Sequence, residues 1–364
     1  MKEFRNILLA LAWYHPRLHL GVARYARDHR WHLNQDLAYA QGQGMDWAGD
    51  GLITQRDRGL FAPHVCEYLD GLTVPRVVIG KHVRSDNKMI AEMAVKFFVE
   101  HGYEHMALIA PSQETVVSRT MYFESECERQ GRKCWPLIIP EQIHRGNEVV
   151  RWLARRLLEI PKPAAAFAID DNYAVATLEA AMSVDLHVPD DVAVLGVRND
   201  ELLCDTAPVS LSSIDSDLEG LGYQAAALLD QILDGQPLPE RPVLIPPLRI
   251  VERQSTNVMA VDHPNLQLAL RFIRDHYRER INIKDIARVS AMSTRGLYKA
   301  FQRQMNMTVY EYITQQRLAE AERMLLDTQA SVEDIANYCG FGLYRNFYNA
   351  FKKHKGTTPK AWRR

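Results

Sequence analysis

The chain has 364 residues, enough for two or three hydrophobic cores, and its apolar and charged fractions (47% and 24%) are those of an ordinary globular protein. The formal charge of −1 hides a division: residues 259–364 carry 18 Lys and Arg against 10 Asp and Glu, a net of +8, which leaves −9 for residues 1–258. That asymmetry is expected where one end of a chain meets a polyanion.

In chain order, Asn6–Tyr14 reads as a buried strand. Its apolar part, Ile7–Tyr14, lacks a cleavage site and is too short to span a bilayer, so neither a signal peptide nor a membrane segment is expected. An amphipathic run follows at Leu18–Arg30. Gly51–Thr54 predicts a strand, Ala62–Leu69 a helix, Pro75–Gly80 a strand, and Asp86–Gly102 a helix stopped by its glycine. The pattern restarts near residue 105. Strands at Met106–Ala110, Cys134–Ile139, Ala164–Ile169 and Val192–Val197 alternate with helices at Met121–Gln130, Val149–Leu158 and Tyr173–Val184. The alternation predicts an α/β fold with parallel sheets, and the restart predicts two lobes. Ligands of such folds sit beyond the carboxyl ends of strands, which points to Trp13-Tyr14 and to residues 80–86, 111–119, 170–172 and 198–201.

Some of these stretches carry a resemblance. Val188-Pro-Asp-Asp-Val-Ala-Val-Leu-Gly-Val197 and Leu244-Ile-Pro-Pro-Leu-Arg-Ile-Val-Glu-Arg-Gln-Ser-Thr256 resemble words of LacI/GalR-type sugar-responsive regulators. Ser118-Arg119 with Tyr122-Phe123 is similar to their effector-loop arginine, and Ile169-Asp-Asp171 to one of their turns. The resemblance covers nearly all of residues 1–256 and implies a two-lobed, periplasmic-binding-protein-like effector domain. Those regulators carry DNA-binding helices in front, and no such element precedes the domain here.

Behind it, residues 257–265 form the expected linker, within a stretch rich in Ser, Thr, Asn, Asp and Pro. Asn265–Arg280 has a helical pattern, with Leu266, Leu270, Phe272, Ile273 and Tyr277 on one side. The chain then says the same thing twice. Ile283-Lys-Asp-Ile-Ala287, Ser293–Phe301 and Thr308 are answered by Val332-Glu-Asp-Ile-Ala336, Gly342–Phe351 and Thr358. The offset is 49 residues at the alanines (287 to 336) and 50 at the phenylalanines (301 to 351). Such a period marks repeated units, each reading as helix, tight turn and helix. Tyr310, Ile313, Leu318, Ala321 and Leu325 predict a joining helix shared by both. Residues 266–364 therefore read as an all-α domain with two helix-turn-helix motifs.

Arg317-Leu-Ala-Glu-Ala-Glu-Arg-Met-Leu-Leu-Asp-Thr328, Ser331–Ala336 with Cys339-Gly-Phe341, and Phe347 through Pro359 resemble the AraC/XylS-type DNA-binding domain. The two domains in this order resemble the xylose-operon type of regulator. The resemblance implies a cytoplasmic homodimer on a double-stranded DNA operator, switched by a sugar effector such as xylose, and activating transcription with RNA polymerase.

The second helix of each repeat alternates core positions (Leu297 and Phe301; Phe347 and Phe351) with exposed ones, whereas Ile286, Ala287, Ile335 and Ala336 of the first helices are scaffold. The exposed sets are Thr294, Arg295, Tyr298, Lys299 and Gln302, then Leu343, Tyr344, Arg345, Asn346 and Asn349. Arginine pairs bidentately with guanine and asparagine with adenine, so Arg295, Arg345 and Asn346 are the expected base readers. Lys352, Lys353, Lys355 and Lys360 suit phosphates. A protein-interaction module is the alternative for this domain.

For the effector the candidates are Trp13, Tyr14, Asp86, Arg119, Asp170, Arg198 and Asn199: an aromatic face for a sugar ring, carboxylates and amides for hydroxyls, and planar donors for vicinal oxygens. Asp171 is expected to cap the helix after it, and Trp13 has core packing as its alternative. The resemblance leads one to expect an aspartate where Arg198 stands in Gly196-Val-Arg-Asn-Asp200. A cation there favours a sugar acid or sugar phosphate over a neutral sugar, unless Arg198 folds onto Asp200 or Glu201. The five cysteines follow no metal or redox spacing, which predicts reduced thiols. His15 with His19 and His101 with His105 have i,i+4 spacing without a third ligand and read as surface histidines. No phosphate loop, nucleophile elbow or metalloprotease helix is present, so neither a cofactor nor catalysis is expected.

Overall fold

The structure, a computed structural model, describes residues 4–39, 47–55, 61–112, 117–143, 146–257, 263–328 and 330–363. It divides into two compact units, Met1–Asn257 and Val258–Arg364. Residues 258–262 of the expected linker, and 113–116 of the expected effector loop, lie outside the described residues.

The first unit begins with β1 (Arg5–Ala10), α1 (Pro16–Asp28), β2 (Trp31–Asn34), α2 (Asp36–Tyr39), β3 (Gly51–Gln55), α3 (Pro63–Gly71), β4 (Arg76–Ile79) and β5 (Val83–Ser85). It continues with α4 (Asn87–Glu100), β6 (His105–Pro111), α5 (Val117–Arg129), β7 (Lys133–Ile139), α6 (Asn147–Leu158) and β8 (Ala164–Ala168). Then come α7 (Asp171–Ser183), β9 (Val192–Val197), α8 (Glu201–Thr206), β10 (Ser212–Asp215), α9 (Leu218–Leu233), β11 (Val243–Ile245) and β12 (Arg249–Val251). Two six-stranded sheets result, ordered β11-β5-β4-β3-β1-β2 and β12-β10-β9-β8-β6-β7. Every described pairing is parallel except β10 with β12. The central strands, β3 of one lobe and β8 and β9 of the other, are wholly buried, as helix-covered parallel sheets require.

The chain passes between the lobes three times: from β5 to α4, from β10 to α9, and from β11 to β12. α9 is a 16-residue helix with no counterpart in the reading from sequence. It packs on α1 so closely that a Cβ on Gly222 would lie 2.1 Å from the Leu18 carbonyl oxygen, and one on Gly21 would lie 2.0 Å from that of Glu219. Gly222 and Gly21 are therefore the contact residues of the two helices. β1 ends at Ala10 rather than Tyr14, because the Leu11 amide turns to the Leu37 carbonyl and leaves the sheet.

The second unit contains α10 (Pro264–His276), α11 (Ile283–Val289), α12 (Thr294–Met305), α13 (Val309–Asp327), α14 (Val332–Tyr338), α15 (Tyr344–Lys355) and α16 (Pro359–Trp362). Two cores form around it. One joins Leu266, Leu270, Ile273, Ile286, Leu297 and Phe301; the other joins Ile335, Ala336, Phe347 and Phe351. α13 serves both, with Val309, Tyr312 and Ile313 in the first core and Leu318, Ala321 and Leu325 in the second. Tyr310, expected on that stripe, is 70% exposed; its place is taken by Tyr312.

The change of offset within the repeat has a structural cause. The α11–α12 turn places Ala291 at φ +51, and the Met292 amide donates to the Ala287 carbonyl. The α14–α15 turn places Gly340 at φ +81, with the Phe341 amide donating to Ala336. One further residue, Gly342 at φ +70, then precedes the N-cap Leu343, whereas Met292 leads directly to the N-cap Ser293.

Candidate effector site and nucleic-acid interface

Between the lobes of the first unit, a cavity of about 250 Å³ is lined by Trp13, Asp171, Asn172, Arg198, Asp200, Leu202 and Leu203. Trp13 enters from the loop after β1; the others come from the carboxyl ends of β8 and β9 and the helices that follow. The Arg198 guanidinium lies over the Trp13 ring, 4.1 Å from its centre, and its Nη1 is 3.4 Å from Asp170 Oδ2. One side chain thus bridges the lobes, by a contact of the kind that contributes about 0.5–2 kcal/mol. Its partner is Asp170, whereas the alternative open from the sequence was Asp200 or Glu201. Two further contacts cross the cleft: Arg17 Nη1 lies 3.0 Å from Asp215 Oδ2, and His15 Nε2 lies 3.8 Å from Asp200 Oδ2.

The loop that carries Arg198 is held in a costly conformation. Arg198 and Asn199 have φ of +109 and +53, a region that costs a non-glycine residue about 1–3 kcal/mol. Three successive amides are tied down: Arg198 N donates to the Ile214 carbonyl at 2.9 Å, Asn199 N to Ser213 Oγ at 3.0 Å, and Asp200 N to Asp171 Oδ2 at 2.8 Å. Asp171 also accepts from Ser213 Oγ at 2.6 Å, so it clamps this loop from within. Burial pushes its carboxyl up to about 7, opposed by the Ser213 and Asp200 hydrogen bonds. The helix cap is Asp170, whose carboxylate accepts from the Tyr173 amide; Asp171 follows it as the first helical residue and turns inward.

The other candidates are placed as follows. Arg119 donates Nε and Nη2 to Asn87 Oδ1 at 3.0 and 2.8 Å, and Nη1 to the Ile169 carbonyl. Burial, with Arg198 nearby, lowers its pKa to about 10. Asp86 caps α4, accepting from the Lys88 and Met89 amides. Asn199 is buried, and its Oδ1 accepts from Arg253 Nη1 at 3.0 Å. Tyr14 is partly exposed beside His19. None of Tyr14, Asp86, Arg119, Asp170 and Asn199 lines the cavity itself.

His15 and His19 are buried rather than at the surface. His15 Nδ1 accepts from the Arg17 amide, which assigns the ring proton to Nε2, and burial holds its pKa below the usual histidine value. Among the described residues, no group of three His, Cys, Asp or Glu is placed to hold a metal ion, and no helix is long and apolar enough to cross a membrane.

In the second unit, Thr294, Arg295, Tyr298, Lys299 and Gln302 are exposed on α12. So are Tyr344, Arg345, Asn346, Asn349, Lys352 and Lys353 on α15, with Leu343 just before it. Lys355 behaves differently: it pairs with Glu322 and lies against Trp362, so it does not share that solvent-facing set. Each pair of helices is the arrangement that lays the second helix in a major groove.

The comparisons agree with both halves. A family model for a periplasmic binding protein-like domain matches residues 95–256, and one for a helix-turn-helix domain matches residues 286–364. The xylose operon regulatory protein of Haemophilus influenzae is 28% identical over 338 residues, 86% of this chain and 84% of that one. Its namesake from Escherichia coli K12 is 26% identical over 94% of this chain and 92% of its own. This chain is an AraC-type helix-turn-helix regulator with a periplasmic-binding-protein-like domain. A solved xylose-binding transcription activator shares the regulator's fold at a TM-score of 0.79 and 24% identity, over 100% of this chain and 98% of that one. Asn172 and Asp200 lie in the strand-end stretches 170–172 and 198–201 but are not among the candidates named from the sequence, and Leu202 and Leu203 lie just beyond them; all four face the cavity because α7 and α8 start there.

Proposed function

We propose that the regulator is switched by a neutral sugar of the xylose class held between its lobes, and that it activates a sugar-use operon with RNA polymerase as a homodimer on DNA. The observation that carries the choice of a neutral sugar is the pairing of the cleft arginines. Arg198 faces Asp170, Arg17 faces Asp215, and Arg119 spends its donors on Asn87 and a carbonyl. Asp171 and Asp200 line the same cavity. A sugar acid or phosphate would add negative charge where carboxylates already match the cations. A polyol instead offers donors to Asp200 and an apolar ring face to Trp13. The xylose operon regulators among the relatives support a pentose.

Switching needs a ligand that binds one arrangement of the lobes better than the other, since equal affinity shifts nothing. Contacts from Trp13 on one lobe and Asn172 and Asp200 on the other would supply that difference, and only a closed cleft makes them together. Thermal melting of the purified chain with pentoses, hexoses, uronic acids and sugar phosphates tests the reading, because ligand binding raises the melting temperature by mass action. D-xylose or a related neutral pentose is expected to raise it. A shift by anionic sugars alone would return the specificity to Arg198 as an anion receptor.

A further inference from the structure

The two helix-turn-helix units are built alike but start their second helices differently. Ser293, the N-cap of α12, accepts a hydrogen bond from the Gly296 amide at 3.0 Å. Leu343, the N-cap of α15, makes no side-chain cap, although its backbone is extended as a capping residue requires. A leucine there forgoes a hydrogen bond that serine, threonine or aspartate would make. It is also 66% exposed, and Tyr344 beside it is 43% exposed. The Tyr344 ring lies 6.1 Å from that of Tyr348, one turn on. An apolar cluster therefore stands in solvent at the start of the helix, where one local rule is broken and a second penalty is accepted. Such joint violations mark functional positions.

The first turn of such a helix is the part that meets base edges in the major groove. In that groove the apolar feature is the C5-methyl group of thymine. The rest of α15 matches DNA in charge, with Arg345 in its first turn and Lys352 and Lys353 exposed in its last. We infer that the second unit reads thymine methyl groups through Leu343, with Tyr344 extending the apolar surface, while the first unit reads by hydrogen bonding through Arg295. The inference rests on the reading of this domain as DNA-binding, and it assigns Leu343 a specificity role that its capping position alone does not require.

The test uses the full-length chain and an operator selected from a random duplex pool. Each thymine of that operator is replaced singly by uracil, which deletes one methyl group and leaves the hydrogen-bonding edge unchanged. In wild type, one or two such replacements in one half-site should weaken binding about three- to five-fold, the effect of one buried methyl-sized group. Leu343→Ser restores a capping side chain, so its melting temperature should equal or exceed that of wild type. The variant should bind the thymine operator several-fold more weakly and lose the uracil penalty. The inference is overturned if no thymine carries a penalty in wild type, or if the penalty persists in Leu343→Ser. Failure to select any duplex would instead overturn the DNA-binding reading itself.

Discussion

Arg198 occupies what a sugar would be expected to use. Its guanidinium covers one face of Trp13, the aromatic surface most suited to a sugar ring, and is held there by Asp170. The clamp from Asp171 and Ser213 holds the residue at φ +109 irrespective of its side chain, so truncation to alanine leaves the backbone frame in place. Arg198→Ala is therefore expected to bind xylose several-fold more tightly than wild type in isothermal titration, because the sugar no longer competes with a tethered cation for the Trp13 face. Weaker binding in the variant would show that Arg198 is a direct donor to the effector. The two outcomes differ in sign, and a change in folding is separated from both by the melting temperature without ligand.

At the scale of elements, the turn of the second unit has two glycines with opposite demands. Gly340 has φ +81, and a Cβ on it would lie 2.6 Å from the Arg278 carbonyl oxygen and 2.7 Å from that of Tyr277. Gly342 has φ +70 but open space around it. Gly342→Ala should cost only the left-handed conformation, about 1–2 kcal/mol, whereas Gly340→Ala adds a backbone collision and should exceed about 3 kcal/mol. Operator binding should fail in Gly340→Ala and survive in Gly342→Ala, with sugar-induced stabilisation retained in both; equal effects would contradict the packing of this turn on Tyr277 and Arg278. That turn was legible as a repeat, because Asp-Ile-Ala and the paired phenylalanines recur at helical spacing. The strands of the first unit were legible for a similar reason, as short apolar runs between turn residues. α9 was not, because Gly222 carries close helix contact and the apolar residues of α9 face both α1 and the sheet, which erases the amphipathic period. Within the site, Trp13 and Arg198 could be found from strand ends. That Arg198 would meet Asp170 and Trp13, and that Asp171 would turn inward while Asp170 capped the helix, depends on backbone angles and on the apposition of the lobes, which residue order does not encode locally.

For the whole molecule, a net charge of −1 argues against strong attraction to DNA, yet the charge that matters is local. At physiological ionic strength fields decay over about 8 Å, so a phosphate near α12 or α15 feels mainly the charges of its immediate surroundings, and residues 259–364 carry an excess of +8. Lys299, Lys352, Lys353 and Lys360 are exposed and suited to phosphates. If each protomer neutralises about four phosphates with them, log K should fall against log salt with a slope of about −3.6 per protomer, doubled in a dimer spanning two half-sites. Lys352→Gln should flatten that slope by about 0.9 per protomer while leaving the sequence preference unchanged, since phosphate contacts carry register rather than base identity. Lys355→Gln should leave the slope unaltered, because that ammonium is already paired with Glu322. Titrations of a labelled operator at several salt concentrations measure both slopes. A flat dependence in wild type would remove the electrostatic basis for DNA binding and return the second unit to a protein-contact role; a flattened slope in Lys355→Gln would show that its pair with Glu322 opens on DNA.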